Sequence, residues 1–306
     1  MSATSMTIWT GAYSADMGTP RIENGSNIAC RRRGRRRRWI MQGRARGKPT
    51  ALLAATVLIS TSWALPLMAA DLQFAGYARS RDDGRLLYVE SHHVRNSGAV
   101  GETRIVMYRC SIDGPAFARK ELTYGSVREE PEFIFTDARR GYVEGLRRST
   151  QGPLVFQQDN ARAPRREAKV PANAVIVSDA GFDEFVRKHW AELEAGKSVR
   201  FPFLIPSRLD YLSFKVKKHH EIKIDGATAS VIRLNLSGVL GWFLPYIEVS
   251  YRKTDRVLMR YEGLTNIRGE DDENFVAIIE FPMRERRNVP AVDLLKLRAE
   301  PLVSRC

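Results

Sequence analysis

The chain has 306 residues, 43% of them hydrophobic and 27% charged, and its formal net charge at pH 7 is +14. Residues 1–70 hold 11 basic and 2 acidic residues, which leaves 38 basic and 33 acidic residues, a net charge of +5, for residues 71–306. This remaining charge is small and mixed in sign, so the composition gives no support for nucleic-acid binding.

The first 70 residues have the pattern of a secretory leader. A short basic segment begins at Met41, an uncharged run extends from Pro49 to Ala70, and small residues precede Asp71. This pattern predicts a signal peptide over residues 41–70, cleaved before Asp71. Residues 1–40 are then an over-extended start or a disordered basic leader.

The same uncharged run is close to the roughly 20 apolar residues that span a bilayer. An uncleaved inner-membrane anchor is therefore the alternative, although Pro66 and several hydroxyl residues weaken it. The expected location is a periplasm or the outside of the cell. Membrane contact would be limited to an uncleaved leader or to peripheral association.

Residues 71–306 are expected to form a single exported β-rich domain. Short runs of β-forming residues recur about every ten residues between turn signals. The predicted strands are Leu72–Ala78, Arg85–Val94, Arg104–Ile112, Ala118–Tyr124, Glu132–Thr136, Arg140–Leu146, Leu154–Gln158, Val175–Ser178, Tyr211–Ile224, Thr228–Leu236, Tyr246–Arg252, Val257–Tyr261 and Phe275–Phe281. The polar stretch 157–169 is expected to be a loop. This order predicts a mainly β protein with a curved antiparallel sheet or an open, incomplete β-barrel.

One main amphipathic helix is predicted at about 181–195, packed over the sheet. Asp179 or Ser178 can cap its start, and Gly196 follows its end. Its apolar stripe at helical spacing is Phe182, Phe185, Val186, Trp190 (or His189) and Leu193. Two i,i+4 ion pairs are expected on its solvent side, namely Asp183–Arg187 and Glu184–Lys188.

The segment 214–224 alternates between apolar and charged residues, which predicts a half-buried strand. For its apolar face to match the next strand, the connecting loop should have three residues and a bulge. This arrangement places Leu236 opposite Val216 and requires Gly226 to adopt a positive φ.

The histidines form two neighbouring pairs, His92-His93 and His219-His220. Neighbours in a strand point to opposite faces, so each pair is expected to give at most one inward imidazole. A metal site is therefore not expected. The chain also lacks the nucleophile and phosphate-loop motifs of known enzyme classes, so no catalytic residue and no cofactor is assigned.

Two cysteines lie beyond the leader, at Cys110 and at the terminal Cys306. In an oxidising compartment they can form a disulfide. The alternative is a buried thiol at Cys110 and a free thiol at the tail.

Two aromatic-proline runs resist alternation, at 201–206 and 241–246, and proline excludes both from central strands. They are interpreted either as buried edge segments or as an apolar lip around a ligand cavity. The candidate ligand-binding residues, with one residue from the helix, are Trp190, Phe201, Phe203, Trp242, Phe243 and Tyr246.

The segment Tyr251-Arg-Lys-Thr-Asp-Arg-Val-Leu-Met-Arg-Tyr261-Glu-Gly-Leu-Thr-Asn266 resembles a strand–turn–strand pattern of exported bacterial proteins. It is similar to the DUF3108-type periplasmic proteins and, more distantly, to the half-barrel periplasmic lipoprotein carriers. The resemblance covers about the last quarter of the chain. It implies an acyl chain held in the concavity of an incomplete barrel under a helical lid, and it transfers no catalytic residue.

Three functional hypotheses follow. The first is a non-enzymatic periplasmic or cell-envelope protein that binds a lipid or another apolar small molecule in the concavity of the sheet. The second is a periplasmic hydrolase that uses histidines and carboxylates. The third is an interaction module that docks an envelope protein partner through its edge strands.

Overall fold

The computed structural model describes residues 71–171, 175–237 and 246–306. The leader predicted over residues 1–40 and 41–70 lies outside the described residues. Within the described part, no helix combines the length and the apolar character that crossing a bilayer requires.

Fifteen strands form one antiparallel sheet. They are β1 (Asp71–Ser80), β2 (Leu86–Arg95), β3 (Thr103–Arg109), β4 (Ala116–Thr123), β5 (Glu132–Asp137), β6 (Tyr142–Ser149), β7 (Gly152–Gln158), β8 (Arg166–Lys169), β9 (Ser198–Ile205), β10 (Asp210–Ile224), β11 (Ala227–Leu236), β12 (Ile247–Arg252), β13 (Leu258–Arg268), β14 (Asn274–Glu280) and β15 (Arg287–Val289). Their order is β8-β7-β6-β5-β4-β3-β2-β1-β14-β13-β12-β11-β10-β9, with β15 beside β1. The sheet is curved and not closed into a barrel, which confirms the predicted fold class.

Most predicted strands are present within a few residues. The exceptions are β13, which extends to Arg268 where the prediction Val257–Tyr261 ended, and the edges of the sheet. Within the stretch 157–169, predicted as a loop, β8 forms an edge strand. The run around Pro202 forms the other edge, β9, where a proline is tolerated because one side of the strand is open. The predicted strand Val175–Ser178 contributes only a single bridge, from Val177 to Phe203, and covers this open side.

The main core lies on one face of the sheet, which we call the inner face. Aromatic side chains from neighbouring strands dominate it, for example Tyr88, Tyr108 and Phe135. The turn Pro206–Arg208, next to β9, lies against β6 and β7. The two ends of the sheet therefore approach each other, and the inner face becomes the interior of an open barrel.

The predicted helix is divided in two. The first helix, α1 (Gly181–Lys188), ends at His189, and α2 (Trp190–Glu194) follows directly. Both lie over the inner face at β9 to β12. Phe185 of α1 lies 4.3 Å from Phe201 of β9, and the Trp190 ring lies 6.3 Å from Tyr251 of β12, between ring centroids.

The predicted helix cap is wrong. No side chain caps α1, because the Asp179 carboxylate turns away to Lys120 and to the amide of Ala180. The start of α1 is instead fixed by close packing at Gly181, where an added Cβ would lie 2.1 Å from the Glu129 carbonyl oxygen.

The β10–β11 loop has two residues and not three, because Ile224 pairs directly with Ala227. Its residues Asp225 and Gly226 both have positive φ, 49° and 75°. This is the conformation of a two-residue type I′ hairpin, and the positive φ predicted for Gly226 is confirmed.

The required bulge lies in the middle of β10. The register shifts between Lys218 and His220, which places Leu234, and not Leu236, opposite Val216. The bulge, and not the loop length, turns Phe214 and Val216 to the face of Leu236 and Leu234, whereas Ile222, beyond the bulge, pairs with Ala229 on the outer face.

The C-terminal residues 294–306, which we call the C-terminal strap, cover the outer face of the sheet. The strap begins with α3 (Leu294–Ala299), whose Leu294 and Leu297 pack on Ile105 and Met107 of β3. These contacts bury one section of the outer face, so this part of the sheet is covered on both faces.

Two links hold the C-terminal strap to β3. The guanidinium of Arg109 donates to both carboxylate oxygens of Glu300, at 2.7 and 3.0 Å. Cys110 and Cys306 form a disulfide, with their Cα atoms 5.3 Å apart. The bridge joins residues 196 positions apart and anchors the end of the chain.

Because this bridge closes a long loop in the unfolded chain, we expect Cys306→Ser to lower the free energy of unfolding by about 2–4 kcal/mol. Urea unfolding measured with and without a reductant tests this. The reductant should lower the stability of the wild type to that of the variant and leave the variant unchanged. Equal stability of the oxidised wild type and the variant would contradict a stabilising role for the bridge.

His93 lies on the outer face near the strap and is buried. Burial, with the nearby His92 and Arg109, lowers the pKa of His93 to about 4. The unfolded chain therefore binds a proton near pH 6.5 that the folded protein binds only near pH 4. We expect stability to be complete above about pH 6.5 and to decrease as the pH falls, by at most about 1.4 kcal/mol per pH unit for this proton.

Urea unfolding across this pH window measures the slope. His93→Gln should make it shallower, because the substituted side chain binds no proton. A slope identical to that of the wild type would show that other groups cause the acid sensitivity.

Candidate functional site

Four buried ionisable residues and one half-buried aspartate lie together beneath the inner face, and we call them the inner polar group. They are Glu90, His92, Lys120, Glu144 and Asp179. Strand register explains how three of them come together. His92, Val106, Lys120, Phe135 and Glu144 lie in one row across β2 to β6, so all five side chains share the inner face.

His92 and Glu90 form a buried pair within β2. The His92 Nε2 atom lies 2.8 Å from a carboxylate oxygen of Glu90, and the imidazole stacks on Phe74 with 4.3 Å between ring centroids. Burial lowers the pKa of His92, although the hydrogen bond to Glu90 opposes that shift. We therefore expect a neutral imidazole at pH 7.

Lys120 and Asp179 form an ion pair of 2.7 Å in the interior. Burial alone would lower the pKa of Lys120, but Asp179 outweighs that effect and raises it, so the lysine stays charged. Beside this pair, burial raises the pKa of Glu144, which accepts a 2.6 Å hydrogen bond from Tyr142.

Further along the inner face, Arg104 and Arg128 lie against the ring of Tyr124. The Glu102 carboxylate binds Arg104 at 3.0 Å and Arg128 at 2.7 Å. The Tyr124 ring centroid lies 5.5 Å from the Arg104 guanidinium carbon and 4.5 Å from that of Arg128. One aromatic ring therefore contacts two cations that share a single carboxylate.

Helix α1 brings more charged side chains to the same place. Glu184 binds Arg128 at 3.2 Å and Arg187 at 2.9 Å. Asp183 accepts a 2.7 Å hydrogen bond from Tyr251 of β12 and lies 4.0 Å from Arg187. The expected Asp183–Arg187 pair is present, but it faces the sheet and not solvent.

Arg286 approaches from the segment after β14. Its guanidinium lies 4.3 Å from the Phe74 ring centroid, and no carboxylate of the described residues lies within 4.0 Å of it. Burial, together with the positive charges of Arg104 and Arg187, lowers the pKa of Arg286 to about 10. The side chain remains charged at pH 7 in surroundings that disfavour its charge.

Arg256 completes the group, since it lies 5.8 Å from the Trp190 ring centroid and its carbonyl accepts from Arg187. The nearby Asp255 forms its own pair with Arg252.

We call the following five residues the arginine cluster: Arg104, Arg128, Arg187, Arg256 and Arg286. The carboxylates among them are Glu102, Asp183 and Glu184. Five cations and three anions give this end of the inner face a net charge of +2.

Three buried polar atoms near this cluster have no hydrogen-bond partner among the described residues. They are His92 Nδ1, Arg104 Nε and the Tyr124 hydroxyl. Nearly all buried polar groups in proteins are hydrogen-bonded, so three exceptions on neighbouring strands are unusual. Chemically, the site offers an anion several half-buried guanidinium donors, the exposed guanidinium of Arg256 and a buried tyrosine hydroxyl.

The candidate ligand-binding residues of the sequence analysis lie in different places. Trp190 is buried beside the arginine cluster, and Phe201 is buried beneath α1 with Phe203 next to it. Tyr246 is 41% exposed and lies under the Arg233 guanidinium. Trp242 and Phe243 lie outside the described residues. Their role in ligand binding stays a prediction.

Sequence reasoning singled out neither the arginine cluster nor the unpartnered Tyr124 hydroxyl. Arg104, Arg187 and Arg286 are far apart in the chain and each has the appearance of a solvated surface residue. A usable signal existed at Arg104 alone, since strand parity places it on the same face as the apolar Val106 and Tyr108.

No protein family and no curated protein matches this chain. Two solved structures are similar in outline. A β-barrel-like protein of the domain of unknown function DUF1849 from Brucella abortus has a TM-score of 0.44 and 8% identity, and the match covers 71% of this chain and 100% of that one. A DUF1329 family protein from Desulfovibrio piger has a TM-score of 0.26 and 9% identity, covering 77% and 93%. The resemblance to DUF3108-type proteins stays a prediction, and these low scores carry no functional argument.

Proposed function

We propose that this is a non-enzymatic protein of the periplasm or cell envelope that binds an amphiphilic small molecule with an anionic head group. The arginine cluster would hold the head group at one end of the interior. The apolar part of the ligand would lie along the aromatic side chains next to the cluster.

One observation carries this proposal. Buried polar atoms without hydrogen-bond partners lie beside the arginine cluster, whose positive charges outnumber its carboxylates. An unpartnered buried hydroxyl such as that of Tyr124 costs about 1–3 kcal/mol, and a buried guanidinium without a carboxylate costs more. A carboxylate or phosphate head group would accept from Arg104, Arg286 and Tyr124 together. Such charge-assisted hydrogen bonds are stronger than those between neutral groups.

The surroundings of the cluster suit an amphiphile better than a simple ion. Phe74 lies under Arg286, and Trp190 lies under Arg256, so two aromatic rings adjoin the cations. Phe201 and Phe203 would reach the ligand only if α1 moved away from β9. In that case the helix pair would act as the lid that the sequence analysis suggested.

Two features support an extracytoplasmic location. A cleavage before Asp71 would keep Asp71 itself, whose carboxylate is buried against Arg95 and the Val292 amide. The disulfide between Cys110 and Cys306 suits an oxidising compartment.

A hydrolase is the second candidate, because of the His92–Glu90 pair. Its carboxylate orients the imidazole and leaves Nδ1 unpartnered, an arrangement that can act as a general base. Within the described residues, no serine, threonine or cysteine is hydrogen-bonded to this imidazole. The second histidine pair does not contribute to this group, because His220 contacts His219.

The first experiment is native mass spectrometry of the protein recovered from an exporting host, followed by titration with palmitate and hexadecanol. We expect palmitate to bind and the uncharged alcohol of equal chain length to bind weakly. Arg286→Gln should weaken palmitate binding by about 2 kcal/mol, or about thirtyfold in Kd, because it removes a charged hydrogen-bond donor. Arg162→Gln, at an exposed loop position, is the matched control and should leave Kd unchanged.

Tyr124→Phe gives a sharper test, because it removes only the unpartnered hydroxyl. The empty variant should be as stable as the wild type or more stable, while its affinity for palmitate decreases. Equal binding of acid and alcohol, unaffected by either variant, would refute the head-group site. Recovery of a cleaved ligand that depends on Glu90 would favour the hydrolase.

The predicted location is tested independently by N-terminal sequencing of the protein recovered from the periplasmic fraction. We expect the sequence to begin at Asp71, because the small residues before it suit a signal peptidase. Recovery of the intact leader in the membrane fraction would support the anchored form instead.

A further inference from the structure

The bulge in β10 brings together two histidines that ordinary strand geometry would separate. Consecutive residues of a strand point to opposite faces, which is why the sequence analysis expected these two imidazoles to diverge. In the structure the register passes from Lys218 to His220 and leaves His219 without a partner in β11. As a result the two imidazoles converge, with 4.6 Å between ring centroids and 2.8 Å between their Nδ1 atoms.

A carboxylate from a different strand completes the group. Glu248 of β12 places an Oε1 atom 3.0 Å from His219 Nδ1, and ligand atoms of all three side chains lie within 4.8 Å of one another. Arg233, on the intervening β11, lies 2.9 Å from His219 Nδ1 and 3.0 Å from Glu248 Oε1. Arg233 and Glu248 pair directly and share the outer face, so this group is separate from the arginine cluster.

Neither protonation state of His219 Nδ1 satisfies its three contacts, with Glu248, Arg233 and His220. If this nitrogen carries a proton, it can donate to Glu248, but it then has no lone pair for Arg233 or His220. If it is unprotonated, it can accept one hydrogen bond, but its lone pair then faces the carboxylate oxygen. A cation placed between the two nitrogens and the oxygen would accept a lone pair from each of them.

We propose that His219, His220 and Glu248 form a site for a divalent transition-metal ion, with zinc as its representative. Two imidazoles, one carboxylate and an open position for water are a common zinc ligand set. Zinc–ligand bonds of about 2.0–2.1 Å place tetrahedral ligands roughly 3.3 Å apart. Two of the observed separations, 2.8 Å between the imidazole nitrogens and 3.0 Å from His219 to Glu248, are slightly shorter than this, and all the ligand atoms lie within 4.8 Å of one another.

The metal displaces the Arg233 guanidinium from His219. Arg233 keeps a hydrogen bond to Glu248 through Nε and remains stacked on Tyr246, whose ring centroid is 4.0 Å away. The ion then joins β10 to β12 across β11. No part of this arrangement depends on a ligand at the inner face.

Isothermal titration with zinc chloride alone, on the exported protein stripped of metals, tests the site. We expect saturable binding that requires these side chains. His219→Gln and Glu248→Gln should each weaken it by more than about tenfold, since the loss of even outer-shell partners costs that much. His219 is 43% exposed, so its substitution leaves the core intact, and circular dichroism checks that each variant is folded.

His189→Gln is the matched control. His189 also lies near a carboxylate, 3.3 Å from Glu192, but it has no second imidazole beside it. We expect zinc affinity to be unchanged in this variant. Arg233→Gln should tighten zinc binding, because it removes a positive charge close to the ion.

Absence of saturable binding would overturn the proposal. Binding that persists at full affinity in both His219→Gln and Glu248→Gln would place the ion elsewhere and overturn it equally. Weaker binding in Arg233→Gln would contradict the position assigned to the ion.

Discussion

The ion pair between Lys120 and Asp179 determines where helix α1 starts over the sheet. Lys120 points inward from the middle of the sheet, and an isolated ammonium group there would be very costly. Asp179 neutralises it, and in doing so it leaves α1 without a side-chain cap. The helix therefore starts where the ion pair and the close contact at Gly181 place it, and its charged face is directed into the interior.

That placement explains the arginine cluster. Asp183, Glu184 and Arg187 would be an ordinary solvated set on a surface helix, but α1 turns them toward Arg104, Arg128 and Tyr251. Burying so many charges is costly even when they are paired, and apolar replacements of similar size often stabilise a protein.

The strand pattern and the general architecture could be predicted from the sequence, because alternation and turn residues act locally. Turn chemistry at Asp225-Gly226 is local as well, and Gly226 was correctly assigned a positive φ. The loop length was wrong because a bulge can restore register anywhere along a hairpin, and nothing in the sequence of β10 marks the position at Lys218. The arginine cluster could not be predicted, because it depends on long-range pairing between strands and on the orientation of one helix.

The position of the final strands in the sheet has a consequence for how the chain acquires its structure. β1 pairs with β2 along one edge and with β14 and β15 along the other, and Cys306 is bonded to Cys110, so the second edge of β1 has no partner until the last strands are available. Hairpins between β1 and β8 can form early from local contacts, but pairing β1 with β14 requires contacts between residues far apart in the chain, which makes folding slow. A polypeptide emerges N-terminus first from a ribosome or a translocation channel. One edge of β1 therefore stays unpaired until β14 and β15 have emerged.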